Sequence, residues 1–317
     1  MKQNNFITRS VAVLFLAITF SNVLLGQIDM SDTTAIVMAH WQLGEEQKFR
    51  ASSFINTMEN DNSISRQEVT YDLTIKVIDS TSAGYVLEWK RNNFQIGLSD
   101  ELDSVLLKIT EGIPLLILTD EFGSSVSSLN WEDAGEEIKS RAEVIRERHS
   151  DHPEISKKLN RLIRQSNNKE GFETNMLLDV HQYLAFHGAK YKFDERIDMK
   201  VKVPNNYGGD PLDANATLML DQVNMPQGTV IIRSSQRVNP YQLTAVTYDY
   251  LKTLNMEGAE LPAKEDFPMI TKLEWGGSEI HVNSGWVIYS VQTKQTTNDK
   301  LVTVEEMTME IIREEEK

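Results

Sequence analysis

The side chains best suited to metal chemistry are three near neighbours, His149, Asp151 and His152. In a chain without cysteine, imidazole and carboxylate groups are the ligands open to zinc, and a site needs three or four ligands at one point. Pro153 follows directly and interrupts a helix, so the two histidines need not share a face. The pattern is more typical of a helix end and a connecting turn, and we expect no bound metal.

A second cluster is rich in oxygen atoms and consists of Asp210, Asp213 and Asn215, beside Gly208 and Gly209. Clustered carboxylates favour calcium. Turns collect the same residue types, because Asp, Asn and Gly stabilise turn backbone. The turn interpretation is favoured, and the sequence predicts no cofactor.

Nucleophilic catalysis has few candidates in this chain. Ser124 and Ser125 follow a predicted strand beside Gly123, an arrangement that hairpin turns produce routinely. The sequence contains no Gly-x-Ser-x-Gly elbow and no His-Glu-x-x-His motif. It has no cysteine either, which excludes disulfides, thiolate nucleophiles and cysteine-ligated metal clusters. A hydrolase with scattered catalytic residues stays open as an alternative.

The charge balance favours some partners over others. The 317 residues include 47 Asp and Glu against 32 Lys and Arg, which gives a net charge of −15. Proteins bind phosphate backbones through clustered Lys and Arg, so we expect no nucleic acid partner. Hydrophobic residues make up 40% of the chain, enough to form a packed core.

The first 26 residues, 1–26, have the pattern of a secretory signal peptide. Lys2 and Arg9 precede an apolar stretch at 11–20, and the small residue Gly26 ends the segment. The apolar stretch is shorter than the roughly 20 residues that a membrane-spanning helix needs. We therefore expect cleavage near Gly26 and an exported mature chain, periplasmic or secreted, without a transmembrane segment.

Periodicity predicts the elements of the first half. Residues 69–77 alternate between apolar and polar side chains, and the alternation resumes after turn residues at 79–84, which indicates a hairpin. Apolar residues then recur at helical spacing over 134–145, over 155–163 and from about 173 to 187.

The second half repeats the order of strands, helix and strands. Asn239 predicts a helix N-terminus, with Pro240 in the first turn and Gln242 placed for a capping box. In the last predicted strand the apolar parity shifts between Val304 and Met307, which suggests a β-bulge.

Together these elements predict an α+β fold, in which curved antiparallel sheet is covered by helices. Two arrangements remain open: one long sheet curving around the helices, or two similar lobes that pack as one unit. In the second, a β-rich lobe ending in two helices spans 27–168 and a second α+β lobe spans 172–317. A polar stretch at 166–171 is the predicted linker.

A resemblance is carried by the stretch from Leu106 to Leu115, which contains Gly112-Ile113-Pro114, and by the following Asp120-Glu121-Phe122-Gly123. It resembles a segment of uncharacterised exported proteins of Gram-negative bacteria, where a strand ends in a Gly-Ile-Pro turn before an Asp-x-x-Gly hairpin and a helix. In the order of their elements, these proteins resemble lipoprotein-carrier half-barrels, in which helices close a curved antiparallel sheet around an apolar cavity. The resemblance covers mainly residues 67–150 and, to a smaller extent, 190–312.

Helices that stand off from such a sheet would leave an apolar cavity of a size that suits an acyl chain, whereas close contact would give an ordinary core. The side chains predicted to line the cavity are Tyr71, Leu73, Ile75, Leu87, Trp89, Phe193, Ile197 and Leu177. We expect a non-catalytic protein that binds an apolar or amphipathic small molecule or an envelope protein. The alternatives are a hydrolase acting on envelope or extracellular material and a structural interaction module.

Overall fold

A computed structural model describes residues 28–29, 33–97, 107–124, 126–205, 207–253 and 261–313. The strands within these ranges are β1 Ile28–Asp29, β2 Thr34–Val37, β3 Glu46–Glu59, β4 Asn62–Thr81, β5 Gly84–Gly97, β6 Leu115–Leu118, β7 Ser127–Ser128, β8 Ala189–Lys192, β9 Arg196–Val203, β10 Leu212–Asn224, β11 Thr229–Val238, β12 Ile270–His281, β13 Val287–Asn298 and β14 Leu301–Ile311. The helices are α1 Trp131–Arg148, α2 Pro153–Ser166, α3 Lys169–Met176, α4 Leu178–Leu184 and α5 Pro240–Thr253.

Eleven strands form one continuous antiparallel sheet in the order β7-β6-β5-β4-β3-β14-β13-β12-β11-β10-β9. The pairing of β3 with β14 joins the two halves of the sequence, from Phe49 opposite Ile311 to Glu59 opposite Leu301. In the described part of the chain the edge strands β7 and β9 do not pair, so the sheet is not closed. Strands β1, β2 and β8 form a separate small sheet. The predicted α+β fold built on antiparallel sheet is confirmed.

The boundary predicted between two lobes falls between α2 and α3. Ser166 ends α2, Lys169 begins α3, and the side chain of Asn168 accepts a hydrogen bond from the Gly171 amide at 2.8 Å. The polar stretch is therefore a short helix connection with a capped start. The division into 27–168 and 172–317 stays a prediction, while the large sheet runs through both ranges.

Helices α1 to α4 pack against one face of the sheet, which we call the inner face. Odd-numbered residues of β4 from Val69 to Val77 are buried there, and the even-numbered residues between them are half-buried. Phe49 and Trp89 of the neighbouring strands are fully buried in the same core, together with Leu159 from α2. The predicted alternation of this strand is confirmed, and it arises because only the inner face is covered.

Helix α5 covers the inner face at the far end of β10 to β12. Leu212, Ala214, Val238 and Ile270 are buried there, and they share the inner face by their register. The hydroxyl of Thr244 accepts a hydrogen bond from the Ile270 amide at 2.9 Å, which ties the helix to β12.

The predicted start of α5 is confirmed in one respect and corrected in another. The side-chain oxygen of Asn239 accepts hydrogen bonds from the Tyr241 and Gln242 amides, at 3.0 and 3.2 Å, which is the geometry of an N-cap. Gln242 does not complete a capping box. Its side chain instead accepts from the Asp213 amide and donates to the Asp213 carboxylate, each at 2.7 Å, and so joins α5 to β10.

The single helix predicted over 173–187 is wrong, because the chain forms α3 and α4 with a break at Leu177. At the break the Met176 carbonyl accepts a hydrogen bond from Arg91 Nη2 at 2.7 Å. The break places Asp179 in the first turn of α4, where the helix dipole favours a carboxylate.

The β-bulge predicted between Val304 and Met307 is also wrong. The register of β14 is unbroken from Leu301 to Ile311 against both of its neighbours. The apolar parity shifts because Val304 faces one side of the sheet and Met307 the other, and both are half-buried. The parity of a strand predicts its register only where one face is buried.

Candidate functional site

The carboxylate of Asp179 is buried where the sheet meets the helices, with 2% of the residue exposed. Its Oδ2 accepts hydrogen bonds from the Tyr71 hydroxyl at 3.2 Å, the Trp89 indole N–H at 3.1 Å and Arg91 Nε at 2.7 Å. Its Oδ1 accepts from Arg91 Nη2 and from the Val180 amide. A carboxylate offers about four lone-pair positions, so these donors occupy it fully. Asp179 therefore anchors the fold and has no capacity left for a metal or substrate.

Both members of this ion pair stay charged in the folded protein. Burial by itself would raise the pKa of Asp179, but the Arg91 charge and the hydrogen bonds outweigh it and hold that pKa below its ordinary value of 3.8. Burial and the charge of Asp179 raise the pKa of Tyr71 well above its ordinary value of 10.0, so its hydroxyl remains a donor. A buried carboxylate is tolerated only with such compensation.

Sequence analysis missed this network, although two signals for it are present. Arg91 has the same strand parity as Leu87 and Trp89, which places a cation on the inner face. Asp179 lies among the apolar residues Leu177 and Val180 at the start of α4. A lone cation and a lone carboxylate, each in an otherwise apolar pattern, indicate a buried pair.

Six of the eight residues predicted to line an apolar cavity lie in the packed core. Leu73, Ile75, Leu87, Trp89 and Leu177 are fully buried, and Tyr71 is nearly so. Tyr71 and Trp89 contribute polar contacts as well, since both donate to Asp179.

The other two, Phe193 and Ile197, lie outside the core with 37% and 36% of each residue exposed. None of the eight lines the surface clefts near His181, Tyr289 or Tyr241. Assignment of all eight to one ligand pocket stays a prediction, and the structure divides them between a packed core and an exposed surface.

The metal candidates do not converge within the residues that the structure describes. The rings of His149 and His152 lie 6.2 Å apart, and Asp151 Oδ2 is 3.7 Å from His152 Nε2. Across the described ranges no three His, Asp or Glu side chains come together as a metal site requires. Asp213 binds Gln242 and also forms an ion pair with Lys202 at 2.6 Å.

Ser124 makes the contacts of a turn residue. Its hydroxyl donates to Asp120 Oδ2 at 2.7 Å, and Asp120 Oδ1 accepts from the Phe122 and Ser124 amides. A serine nucleophile requires its hydroxyl to face a base such as histidine. Ser125 lies outside the described residues.

Among the residues that the structure describes, a band of the inner face between the helices α1 to α4 and α5 contains no buried side chain, and we call it the open strip. The row nearer α4, which we call the upper row, runs across seven strands from β9 to β3 and consists of Ile197, Leu218, Ser234, Gly276, Gln292, Met307 and Ser53. The row nearer α5, the lower row, consists of Met199, Ala216, Gln236, Glu274, Lys294, Glu305 and Ile55. Every one of these residues is half-buried or exposed. At a strand spacing of about 4.8 Å, the strip is roughly 29 Å long.

Helices bound the strip on two sides. Above it, the side chain of Gln182 in α4 donates to the Ser290 hydroxyl at 3.2 Å and to the Met307 carbonyl at 3.0 Å. Below it, α5 buries Ala214 and Val238, which are the next inner-face residues along β10 and β11. Helices therefore meet the borders of the strip near β13 and β14 on one side and near β10 and β11 on the other.

The strip changes in character along its length. Ile197, Met199, Ala216 and Leu218 make its β9–β10 end wholly apolar. The centre is polar: Glu274 accepts a hydrogen bond from Gln292 at 2.5 Å and lies opposite Lys294. Contiguous exposed apolar side chains beside polar ones are typical of a binding surface.

One further buried polar group is His187, which follows α4. Its Nε2 lies 2.7 Å from the Gly285 carbonyl oxygen, and its ring stacks on Tyr183 at 6.4 Å. A side chain could not replace Gly285, because a Cβ atom there would lie 2.3 Å from the Met38 carbonyl oxygen. Burial lowers the pKa of His187 from 6.5 to about 4, despite its hydrogen bond to Gly285.

Loss of the Asp179 carboxylate should destabilise the protein strongly. In Asp179→Leu, Arg91 stays buried without its counter-charge, and we expect the free energy of unfolding to fall by about 3–5 kcal/mol. Urea denaturation followed by circular dichroism measures this. The double variant Asp179→Leu with Arg91→Leu should recover part of the loss, because it removes both charges. A double variant less stable than Asp179→Leu would contradict a compensating ion pair.

The protonation of His187 should make stability depend on pH in a defined range. Its folded pKa of about 4 lies below its ordinary value, so between pH 6.5 and about 4 the unfolded chain binds a proton that the folded chain does not. Its contribution is fully present above pH 6.5 and falls by roughly 3 kcal/mol on acidification to about pH 4. His187→Gln retains a donor for Gly285 and does not titrate, so its unfolding free energy should vary less over this range. Equal pH profiles for the variant and the wild type would refute the assignment.

Comparisons with known proteins give a remote likeness at the level of structure. No family model matches the chain, and no curated protein matches it significantly. Among solved structures the chain is similar to one described as lipid-protein interactions in lipovitellin, with a TM-score of 0.42 and 7% sequence identity. The match covers 86% of this chain and 26% of that one, so the chain spans about a quarter of the length of lipovitellin. A likeness of this size establishes neither a family nor a ligand.

Proposed function

We propose that this chain is an exported, non-catalytic protein that binds an apolar or amphipathic ligand along the open strip. The observation that carries the proposal is the apolar end of the strip in the described residues, where Ile197 is exposed and Met199 half-buried on a face that is covered elsewhere. Leu218 beside them is half-buried and also packs against the core. Placing such side chains in water is unfavourable by about 25 cal/mol per Å² of apolar surface, so an apolar ligand is stabilised there.

The polarity of the strip orients the proposed ligand. Its apolar part lies along Ile197, Met199 and Leu218, and its polar part lies over Glu274 and Lys294 at the centre. A ligand with both characters places apolar groups against the apolar side chains and polar groups against the charged ones. Beneath the helices, by contrast, Leu73, Ile75 and Leu87 are fully buried within the described part of the chain.

Export is the part of the proposal that rests on sequence. Residues 1–26, which carry the signal-peptide pattern, lie outside the described residues. In the described ranges, no helix combines the length and the apolar character that crossing a membrane requires. N-terminal sequencing of exported protein should give a mature chain that begins at Gln27 or within a few residues of it. Exported protein that still began at Met1 would contradict the signal-peptide assignment.

Ligand binding is tested with an environment-sensitive fatty-acid probe and two matched variants in β10. Leu218 lies on the inner face and Met219 on the outer face, and both are half-buried. Leu218→Glu should weaken probe binding about tenfold or more, since it places a charge against the apolar part of the probe. Met219→Glu should leave the affinity unchanged, and bound probe should raise the melting temperature of both the wild type and Met219→Glu.

A third variant separates the strip from a cavity in the core. Leu87→Trp changes a fully buried side chain and should lower stability without affecting the affinity of the folded fraction. Loss of binding in Leu87→Trp, with normal binding in Leu218→Glu, would place the ligand between sheet and helices. Absence of probe binding to the folded wild type would exclude the proposed function.

A further inference from the structure

The two edges of the eleven-stranded sheet differ sharply. The β7 edge has two residues, and Glu173 of α3 covers it by accepting hydrogen bonds from the Ser128 amide at 2.8 Å and the Ser127 hydroxyl at 3.3 Å. The β9 edge has eight residues, and within the described ranges it pairs only with β10. An edge strand of this kind presents backbone N–H and C=O groups that can pair with another chain.

Strand β9 lacks the backbone features by which proteins close an edge. Its pairing with β10 runs without a register shift from Val203 opposite Leu212 to Arg196 opposite Met219. No proline interrupts it, since Pro204 follows its last residue. Bulges, prolines and very short strands protect many edges, and β9 has none of them. Its protection is its charge, because Arg196, Lys200 and Lys202 of the outer face repel a basic strand.

The side chains of β9 separate by character between the two faces of the sheet. Ile197, Met199, Val201 and Val203 face the inner side, and the charged residues face the outer side. Two of the outer cations already have partners, because Arg196 pairs with Asp198 at 2.9 Å and Lys202 with Asp213 at 2.6 Å.

Lys200 has a different setting. It lies opposite Asn215, which in turn lies opposite Arg237, so this outer row contains two cations and no carboxylate. The neighbouring Asp213 is bound by Lys202 and Gln242, and the charge of Lys200 also contributes to lowering the pKa of that carboxyl. Lys200 and Arg237 also line, together with Asp213, a cleft of about 570 Å³ beside the start of α5. A carboxylate on a neighbouring strand would complete this row, whereas a basic strand would be repelled.

We propose that β9 is a docking edge for an extended, acidic segment of another protein, which adds to the sheet as an antiparallel strand. A Glu or Asp of the segment lies opposite Lys200, and its apolar side chains lie beside Met199 and Val201 on the inner side. Backbone hydrogen bonds along β9 provide affinity, and the Lys200 row provides specificity. A second copy of this chain is a poorer occupant, because its own β9 carries three cations and one carboxylate.

The test uses a nine-residue peptide of alternating valine and glutamate, with fluorescence anisotropy to measure affinity. The acidic peptide should bind, and the peptide with lysine in place of glutamate should not. Lys200→Glu should weaken binding at least tenfold. Lys300→Glu makes the same charge change at an exposed position in the β13–β14 turn and should leave the affinity unchanged.

Hydrogen exchange distinguishes strand addition from simple charge attraction. Binding of the acidic peptide should slow exchange at alternate amides between Arg196 and Val203. Only the N–H groups that point away from β10, in the plane of the sheet, gain a hydrogen-bond partner. Peptide binding without protection in β9 would overturn the proposal, as would failure of the acidic peptide to bind. Sedimentation that showed dimers broken by Lys200→Glu would overturn it in favour of a second copy.

Discussion

The buried ion pair of Asp179 and Arg91 fixes where the helical layer meets the sheet. Through it α4 contacts β4 and β5, since Tyr71 and Trp89 donate to the same carboxylate. Gln182, one turn further along α4, then reaches β13 and β14 through Ser290 and the Met307 carbonyl. The seven residues of α4 thus connect strands from both halves of the sequence. A buried ion pair is stable only when its geometry is good enough to offset the free energy cost of removing both charges from water. It therefore restricts how α4 docks on the sheet more strictly than apolar contacts do.

A short cover on a long sheet explains why the open strip exists. Helices α1 to α4 bury inner-face residues of β4 only from Val69 to Val77, whereas the 20 residues of that strand extend over roughly 66 Å at about 3.3 Å per residue. On β13 and β14, α4 reaches the sheet through Gln182, and α5 covers a separate region around Val238 and Ile270. The rows between them remain uncovered and combine apolar and polar side chains. Their composition suits a surface that alternates between water and a ligand better than it suits a permanent core.

Local patterns predicted much of the fold, and the contacts that decide the site are long-range. The alternation in β4 and the Asn239 cap follow from neighbouring residues, so sequence shows them directly. The pairing of β3 with β14 joins residues about 250 positions apart, and no local pattern encodes it. Without that pairing the open strip cannot be inferred, because its rows cross from β9 to β3. Predicted cavity residues such as Leu73 were correctly placed on the inner face, but apolar patterning cannot distinguish a core from a cavity.

The apolar end of the open strip and the β9 edge both belong to strand β9, so the proposed ligand and the proposed partner would bind next to each other. Ile197 and Met199 end the two rows of the strip, and a strand added beside β9 would continue both rows by one position. An apolar ligand at that end would then contact side chains of the added segment as well as Leu218. Each would offer additional apolar surface to the other, so binding of one would strengthen binding of the other. By thermodynamic linkage, this coupling free energy is the same in both directions. The outer Lys200 row takes no part in this contact, because it lies on the opposite face of the sheet. On these two proposals, specificity for the partner and affinity for the ligand would arise from opposite faces of β9.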